Sequence, residues 1–419
     1  MRYLYSILFY LALPLVFLRL LWRSRRAPDY RLNWGQRLGF CPHRLNKCIW
    51  VHAVSVGETI AAIPLIKALL AEYPHIPLLV TSMTPTGAAR VKAAFGDTVL
   101  HSYIPYDVPD AVTRFLKRVK PVVAVVMETE LWPNLFAKCK EYNIPIDVTN
   151  ARLSEKSAKG YRSIASLTRE MLTAVNVLAS QGIADAERFI ALGLDAEKVV
   201  VTGNLKFDIE VPQELIAKGA ALREVLSKNR LIWIAASTHP TEEEIVLAAH
   251  RQILEKYPSA LLILVPRHPE RFTPIAEMIA QQKFKIARRS RNEECTMDTQ
   301  VYLSDTMGEL LLMYSVADVA FVAGSFAPIG GHNMLEAAVL EKPIVVGPQL
   351  FNFAEISEML FAAHGMLKVQ NAEGLAVTVM SLFADSNYRE QVGKNARKVV
   401  DENRGSLKKQ VDLITRFVS

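Results

Sequence analysis

A chain of 419 residues with 51% apolar and 22% charged side chains can bury two cores of ordinary size, which makes a single domain unusual. A formal net charge of +7 and a pI near 9.1 suit an anionic partner, but the excess is modest and spread out, which argues against a dedicated nucleic-acid binder with its dense basic stripe. The four cysteines, Cys41, Cys48, Cys139 and Cys295, lack metal-ligand spacing and form no disulfide framework, so the chain reads as one from a reducing compartment.

Residues 3–18 carry no charged side chain, and Arg19, Arg23, Arg25 and Arg26 follow, interleaved with Trp22, Tyr30 and Trp34. The apolar run is short of the roughly 20 residues that cross a bilayer, and reaches that length only when counted through Trp22 with Arg19 snorkelling. A secretory signal is disfavoured, because a small-residue cleavage site is missing and the stronger positive charge follows the apolar run. The expectation is a membrane anchor, spanning or interfacial. Its arginine collar stays on the cytoplasmic side against anionic lipid, with the aromatic rings at the headgroups. A buried N-terminal helix is the competing reading.

From there the chain alternates strand-like and helix-like stretches. Residues 49–54, 78–81, 122–126, 144–150, 175–178 and 199–202 are short, β-branched and continuously apolar, and a second series runs 231–235, 261–265, 319–322 and 344–346. Helical lengths between them predict parallel sheets covered on both faces. Residues 207–229, containing Val211-Pro212, read as a linker and the first helix of a second domain. The expected division is an anchor and collar at 1–34, an N-terminal acceptor domain at 35–208 and a C-terminal nucleotide-sugar domain at 209–419, with the last helix free to cross back. Two doubly wound α/β domains facing each other place their strand-end loops around one cleft.

The loops carry the chemistry. His52-Ala53-Val54-Ser55-Val56-Gly57-Glu58 leaves a strand and enters a helix at 59–69. Glu58 thus sits in a first turn, aimed into the cleft, where the helix dipole favours its ionised form. His52 reads either as a site residue or as a satisfied core histidine. In Met127-Glu128-Thr129-Glu130-Leu131-Trp132-Pro133-Asn134, two acids share a strand-to-helix loop whose outgoing chain is fixed by Trp132-Pro133. One acid can orient a base or bind a hydroxyl while the other caps the helix, and the assignment is open at this stage. Asn150-Ala151-Arg152-Leu153-Ser154 and Gly203-Asn204-Leu205-Lys206-Phe207-Asp208 follow two further strands; Arg152 and Lys206, with Ser55 and Gly57, are candidates for holding an anion or the acceptor.

In the second domain Ser237-Thr238-His239-Pro240 precedes Glu242-Glu243-Glu244, and Pro266-Arg267-His268-Pro269-Glu270-Arg271 offers Arg267 and His268 to a phosphate. The most informative stretch is an apolar strand running into Gly324-Ser325-Phe326, then Gly330-Gly331-His332-Asn333 and Glu336. Backbone N–H groups at Gly324 and Ser325 can face a phosphate, Gly330, Gly331 and Asn333 shape its end of the site, and Glu336 accepts from ribose hydroxyls. Residue spacing calls for no metal, and no cofactor is expected beyond a nucleotide donor substrate.

Together the stretches 52–58, 127–134, 150–154, 203–208, 266–271 and 324–336 make the chain resemble the 3-deoxy-D-manno-octulosonic acid (Kdo) transferases of lipopolysaccharide biosynthesis over nearly its whole length. The resemblance implies a GT-B type fold of two facing Rossmann-like domains, CMP-Kdo as donor and lipid IVA, a lipid A precursor, as acceptor. It further implies inverting transfer without a divalent metal, at the cytoplasmic face of the inner membrane, with no nucleic acid and no obligate protein partner. Glu58, closing Ser-Val-Gly-Glu, corresponds to the family's base, and the second essential acid is Glu128 or Glu130. Arg267, His268 and Pro269, the Gly324-Ser325 turn and the Asn333/Glu336 helix match its nucleotide half. A base at the acceptor hydroxyl suits inversion, and donors at Gly324-Ser325 with Arg267 suit the leaving phosphate. A sugar-nucleotide epimerase or hydrolase would leave the anchor without a role, and a tethered binding protein would leave Glu58 without one. Two is the preferred number of Kdo residues added, since a cleft between mobile domains can reopen.

Overall fold

The computed structural model describes residues 1–25, 27–226 and 229–418, so Arg26 of the predicted collar lies outside the described residues. By contacts the chain divides into two compact units, Met1–Asp208 with Arg404–Ser419, and Ile209–Asn403.

The sheet of the first unit contains β1 (Cys48–His52), β2 (Leu78–Ser82), β3 (Leu100–Tyr103), β4 (Pro121–Met127), β5 (Ile146–Ala151), β6 (Val177–Ser180) and β7 (Val199–Val201), in the order β3-β2-β1-β4-β5-β6-β7. That of the second contains β8 (Ile232–Thr238), β9 (Leu261–Pro266), β10 (Ile286–Arg288), β11 (Val301–Leu303), β12 (Val319–Val322), β13 (Ile344–Val346) and β14 (Met366–Lys368), in the order β10-β11-β9-β8-β12-β13-β14. Neighbouring strands run parallel in both sheets. Alternation explains the continuous apolar runs: Trp50, Ala124 and Val126 enter one core layer, whereas Ile49, Val51, Val123 and Val125 enter the layer on the opposite face. Strand order reverses between β1 and β4 and again between β8 and β12. In an open parallel sheet such a reversal opens a crevice at the strands' carboxyl ends.

β3, β10, β11 and β14 were not among the predicted strands. Leu100-His101-Ser102-Tyr103, Ile286-Ala287-Arg288 and Met366-Leu367-Lys368 form sheet edges, where one side is free of a partner strand and polar residues are tolerated; β11 has three residues only. The predicted helix at 59–69 extends over Val56–Glu72, and the segment after Val211-Pro212 forms the helix Gln213–Val225.

The helix Arg2–Arg23 is long and apolar enough to cross a membrane, with mean hydropathy 2.1 over a window only 11% buried. It lies along the first unit. Ser6 Oγ is 3.0 Å from Asn134 Oδ1 near one end, and Phe9, Leu13, Val16, Phe17 and Leu20 pack with Tyr30, Trp34 and Tyr106 along the rest. This corrects the expectation for the aromatic collar: Tyr30 is buried and Trp34 partly buried beneath the helix, and of the three only Trp22 is exposed. The C-terminal helix Ser406–Thr415 is fastened to the same unit by Asp208, whose two carboxylate oxygens accept from Gly405 and Leu407 N–H at 2.7 Å each.

Candidate functional site

In the first unit the predicted acids gather at the β1/β4 reversal. Ser55, the N-cap, accepts through Oγ from Glu58 N–H at 3.2 Å, while Glu58 Oε2 reaches one residue past the cap to accept from Val54 N–H at 2.7 Å, a variant of the capping box. Glu58 is buried, and burial raises its pKa, helped by the charge of Glu128 and opposed by its Ser55 and Val54 hydrogen bonds. Capping and a raised basicity therefore coexist in one side chain. Gly57 has no left-handed backbone, and a Cβ there would meet only Ser55 Oγ at 3.7 Å, so the fold itself does not demand glycine beside Glu58.

Beyond β4, Glu128 holds a left-handed conformation, φ 53°, with its N–H on the Thr149 carbonyl at 2.9 Å. Such backbone is uncommon outside glycine and concentrates at functional sites. Glu128 Oε2 accepts from Arg152 Nε at 2.9 Å, which assigns that predicted cation a partner. Glu130 Oε2 accepts from Trp132 Nε1–H at 2.8 Å, and its carboxyl is pushed up to about 7 by burial and then by the charge of Glu58. Asn150, also left-handed at φ 52°, accepts from Leu205 N–H at 3.0 Å through Oδ1 and so hangs the Gly203–Asp208 loop on β5. Lys206 sits in the 3-10 turn Leu205–Phe207, its N–H fixed by Asn204 Oδ1 at 3.0 Å. His52 is fully buried, with Nδ1 3.0 Å from Thr81 Oγ1, its Nε2 without a hydrogen-bond partner among the described residues, its pKa down to about 3 through burial and so neutral, and its ring 5.1 Å from that of Trp132; it lies in the core but is only half satisfied there.

In the second unit the loops after β8, β9 and β12 meet. Gly324, Gly330 and Gly331 all have left-handed φ, at 70°, 94° and 82°. A Cβ on Gly324 would come within 2.7 Å of the His332 ring and one on Gly330 within 2.5 Å of the Phe351 ring, so glycine is obligatory at both. His332 Nε2 lies 2.8 Å from His239 Nε2, a bond that needs one N–H and one lone pair; burial, then His239, Arg267 and His268, take the His332 pKa down to about 3. The exposed His268 ring is 5.3 Å from that of His239, and Pro269, also exposed, opens a short 3-10 turn. Arg267, its N–H on the Thr238 carbonyl at 3.0 Å, is close enough to lower the pKa of Glu336, which burial raises. Glu336 Oε1 accepts from Asn333 Nδ2 at 3.3 Å, and Asn333 Oδ1 in turn accepts from Leu335 N–H at 3.2 Å.

One expectation for the glycine turn needs correction. The Gly324 and Ser325 N–H groups are not open to a phosphate, because the buried Glu242 accepts from them at 2.8 and 3.0 Å. The Ser325 side chain is also engaged: fully buried, it donates to Val322 O at 2.7 Å and accepts from Gly347 N–H at 2.8 Å, joining the ends of β12 and β13. Glu242 was missed because an acidic triplet opening a helix reads as dipole compensation; its spacing three residues after His239 was the available signal. A cavity of about 410 Å³ between Arg223, Lys342 and Arg397 in this unit is lined by none of the candidate donor residues. Among the described residues no group of three or more His, Cys, Asp or Glu side chains is placed to hold a metal ion.

Comparison with known proteins gives the family. The model described as 3-Deoxy-D-manno-octulosonic-acid transferase (kdotransferase) matches residues 32–209, and that of the glycosyl transferases group 1 matches residues 229–399. A 3-deoxy-D-manno-octulosonic acid transferase of Haemophilus influenzae is 43% identical over 100% of this chain and 99% of its own length. One from Bordetella pertussis is 34% identical over 96% of each chain. Among solved structures, HepE of Anabaena in complex with UDP has a TM-score of 0.55 at 13% identity, covering 88% of this chain and 99% of that one, which is a likeness of fold alone. With two parallel-sheet Rossmann-like units of the GT-B class and relatives that match it from end to end, the chain belongs to the 3-deoxy-D-manno-octulosonic acid transferase family.

Proposed function

We propose that the protein transfers Kdo from CMP-Kdo to lipid IVA, inverting the anomeric centre, with Glu58 as general base and without a divalent metal. The observation that carries this reading is the group of acids at the β1/β4 reversal, where the buried Glu58 has a raised pKa at the start of a helix and the buried Glu128 and half-buried Glu130 stand nearby. In the transfer, the acceptor hydroxyl oxygen bonds to the anomeric carbon, its proton passes to Glu58, and the bond from that carbon to the phosphate oxygen breaks to release CMP. Gly57 leaves room for the acceptor at the base, and Arg152 holds Glu128 in place. In the second unit Arg267 and His268 meet the phosphate, Asn333 with the Gly330-Gly331 turn shapes the phosphate end, and Glu336, to which Asn333 Nδ2 donates, binds the ribose hydroxyls.

The helix Arg2–Arg23 supports attachment in the plane of the inner membrane's cytoplasmic face. Its docked face holds it along the first unit, and Leu4, Ile7, Leu8, Leu11, Leu15, Leu18 and Trp22 form an exposed stripe at three- and four-residue spacing. Arg19, Arg23 and Arg25 are exposed beside it, where anionic lipid attracts them. Incubation of the purified full-length protein with CMP-Kdo and lipid IVA in detergent, with and without EDTA, tests the assignment by mass spectrometry. Kdo-bearing lipid at equal rates in both is the expected result, with two sugars at exhaustion. Intact donor and unmodified lipid would overturn it, and donor turnover without acceptor would point to an epimerase or hydrolase.

A further inference from the structure

Glu242 is fully buried in the second unit and has no part in the chemistry above, yet its carboxylate gathers five backbone N–H groups. Oε2 accepts from His239 at 3.0 Å and Gly324 at 2.8 Å; Oε1 accepts from Ser325 at 3.0 Å, Phe326 at 2.9 Å and, more distantly, Ala327 at 3.4 Å. Successive N–H groups turned inward around a left-handed glycine form a concave nest of the kind that takes anions. Here the anion belongs to the protein. Charge-assisted bonds of this number in a buried site are not displaced by a diffusing phosphate, which would have to expel a charge into the core.

The nest is also one side of a closed ring of contacts. Gly331 N–H donates to Gly324 O at 2.7 Å, His332 follows Gly331 in the chain, His332 Nε2 pairs with His239 Nε2, and His239 N–H returns to Glu242. From the other side, Ser325 Oγ clamps the turn between Val322 O and Gly347 N–H. The left-handed turns at Gly324 and Gly331, which glycine adopts without strain, are therefore held by Glu242 at one point and by the histidine pair at another. We infer that Glu242 is a positioning residue for the donor: it fills the backbone nest of the 324–327 turn as an internal anion, fixes the loop that carries His332, Asn333 and Glu336, and leaves the donor's phosphate to the side chains of Arg267 and His268.

This rests on the second unit being the donor-binding one. Charge and hydrogen-bond acceptance are separable from packing by two variants of the full-length protein. Glu242→Gln keeps the volume and turns one acceptor oxygen into a donor facing N–H groups, whereas Glu242→Asp keeps both acceptors on a shorter stem. The CMP Kd by calorimetry and the donor KM are expected to rise together by roughly 10–100-fold in Glu242→Gln, with kcat at saturating donor within about threefold of wild type, and Glu242→Asp recovers most of the affinity. Wild-type CMP affinity in Glu242→Gln, or equal losses in both variants, would overturn the inference. Hydrogen exchange on the wild type supplies an arm independent of mutant folding: the Gly324, Ser325 and Phe326 amides should exchange as slowly as those of β12, and exchange at open-loop rates would sink the proposal. A wild-type protein that binds no CMP but protects these amides would refute the donor reading and leave the Glu242 contacts standing.

Discussion

The cap that Glu58 forms and the base it is proposed to be are separable by a single substitution. As a cap it accepts the Val54 N–H at 2.7 Å; as the proposed base it must take a proton from the acceptor hydroxyl. Glu58→Gln retains an amide oxygen able to accept from Val54, because glutamine serves in a capping box as glutamate does. Loss of the cap in Glu58→Ala should cost about 0.5–2 kcal/mol of stability, whereas Glu58→Gln should stay within the lower end of that range. Transfer should nevertheless fall by roughly 10²–10⁴-fold in Glu58→Gln, since an amide cannot accept the proton at neutral pH. Urea unfolding and initial rates of Kdo incorporation at saturating donor and acceptor measure the two quantities on the same preparations. A Glu58→Gln enzyme with near-wild-type turnover would remove Glu58 as the base. An activity loss no larger than the loss of folded protein would reduce its role to the cap. The substitution also has an effect at a distance: the Glu58 charge is the second cause holding Glu130 near 7, so the Glu130 carboxyl should titrate lower in Glu58→Gln, visible by carboxyl-resolved NMR.

Glu130 carries a sign-definite stability prediction. Its folded pKa, about 7, lies above the ordinary carboxyl value, so the folded state binds the extra proton between about pH 4.5 and 7 and stability falls as pH rises through that window; Glu130→Gln should flatten the slope in urea titrations, and an unchanged slope would refute the assignment. Ser325→Ala should lower stability by about 1–3 kcal/mol by leaving the Gly347 N–H unpaired, and because Glu242 still holds the turn the folded variant should lose less CMP affinity than Glu242→Gln; a larger loss in calorimetry would make the Ser325 clamp, not Glu242, the main support of the turn. On the N-terminal helix, Leu11→Glu with Leu15→Glu should abolish co-sedimentation with anionic vesicles and leave the thermal transition in place. Phe17→Ala, on the docked face, should instead lower the transition temperature. Vesicle binding that survives the double glutamate variant would place membrane affinity elsewhere.

What the sequence discloses follows from what burial writes into it. Central strands such as β4 and β8 are covered on both faces, so Val123, Val125, Ile232 and Ile234 had to be apolar at successive or alternating positions and the parallel sheets were legible. Edge strands obey a weaker rule, and His101 and Lys368 hide β3 and β14 from any reading by apolar runs. The loops at strand ends were legible as places, because charge beside an apolar strand must meet solvent or a partner. Their hydrogen bonding was not, since it depends on which side chain from another loop arrives first. Gly324-Ser325 illustrates the difference. The turn has the composition of an anion nest and is one, but the anion comes from Glu242, 82 residues earlier in the chain. A glycine-rich turn after a strand thus specifies a geometry of donors without specifying a ligand. Where a buried acid from a neighbouring loop fills that geometry, the turn becomes a rigid frame, and recognition passes to the side chains mounted on it.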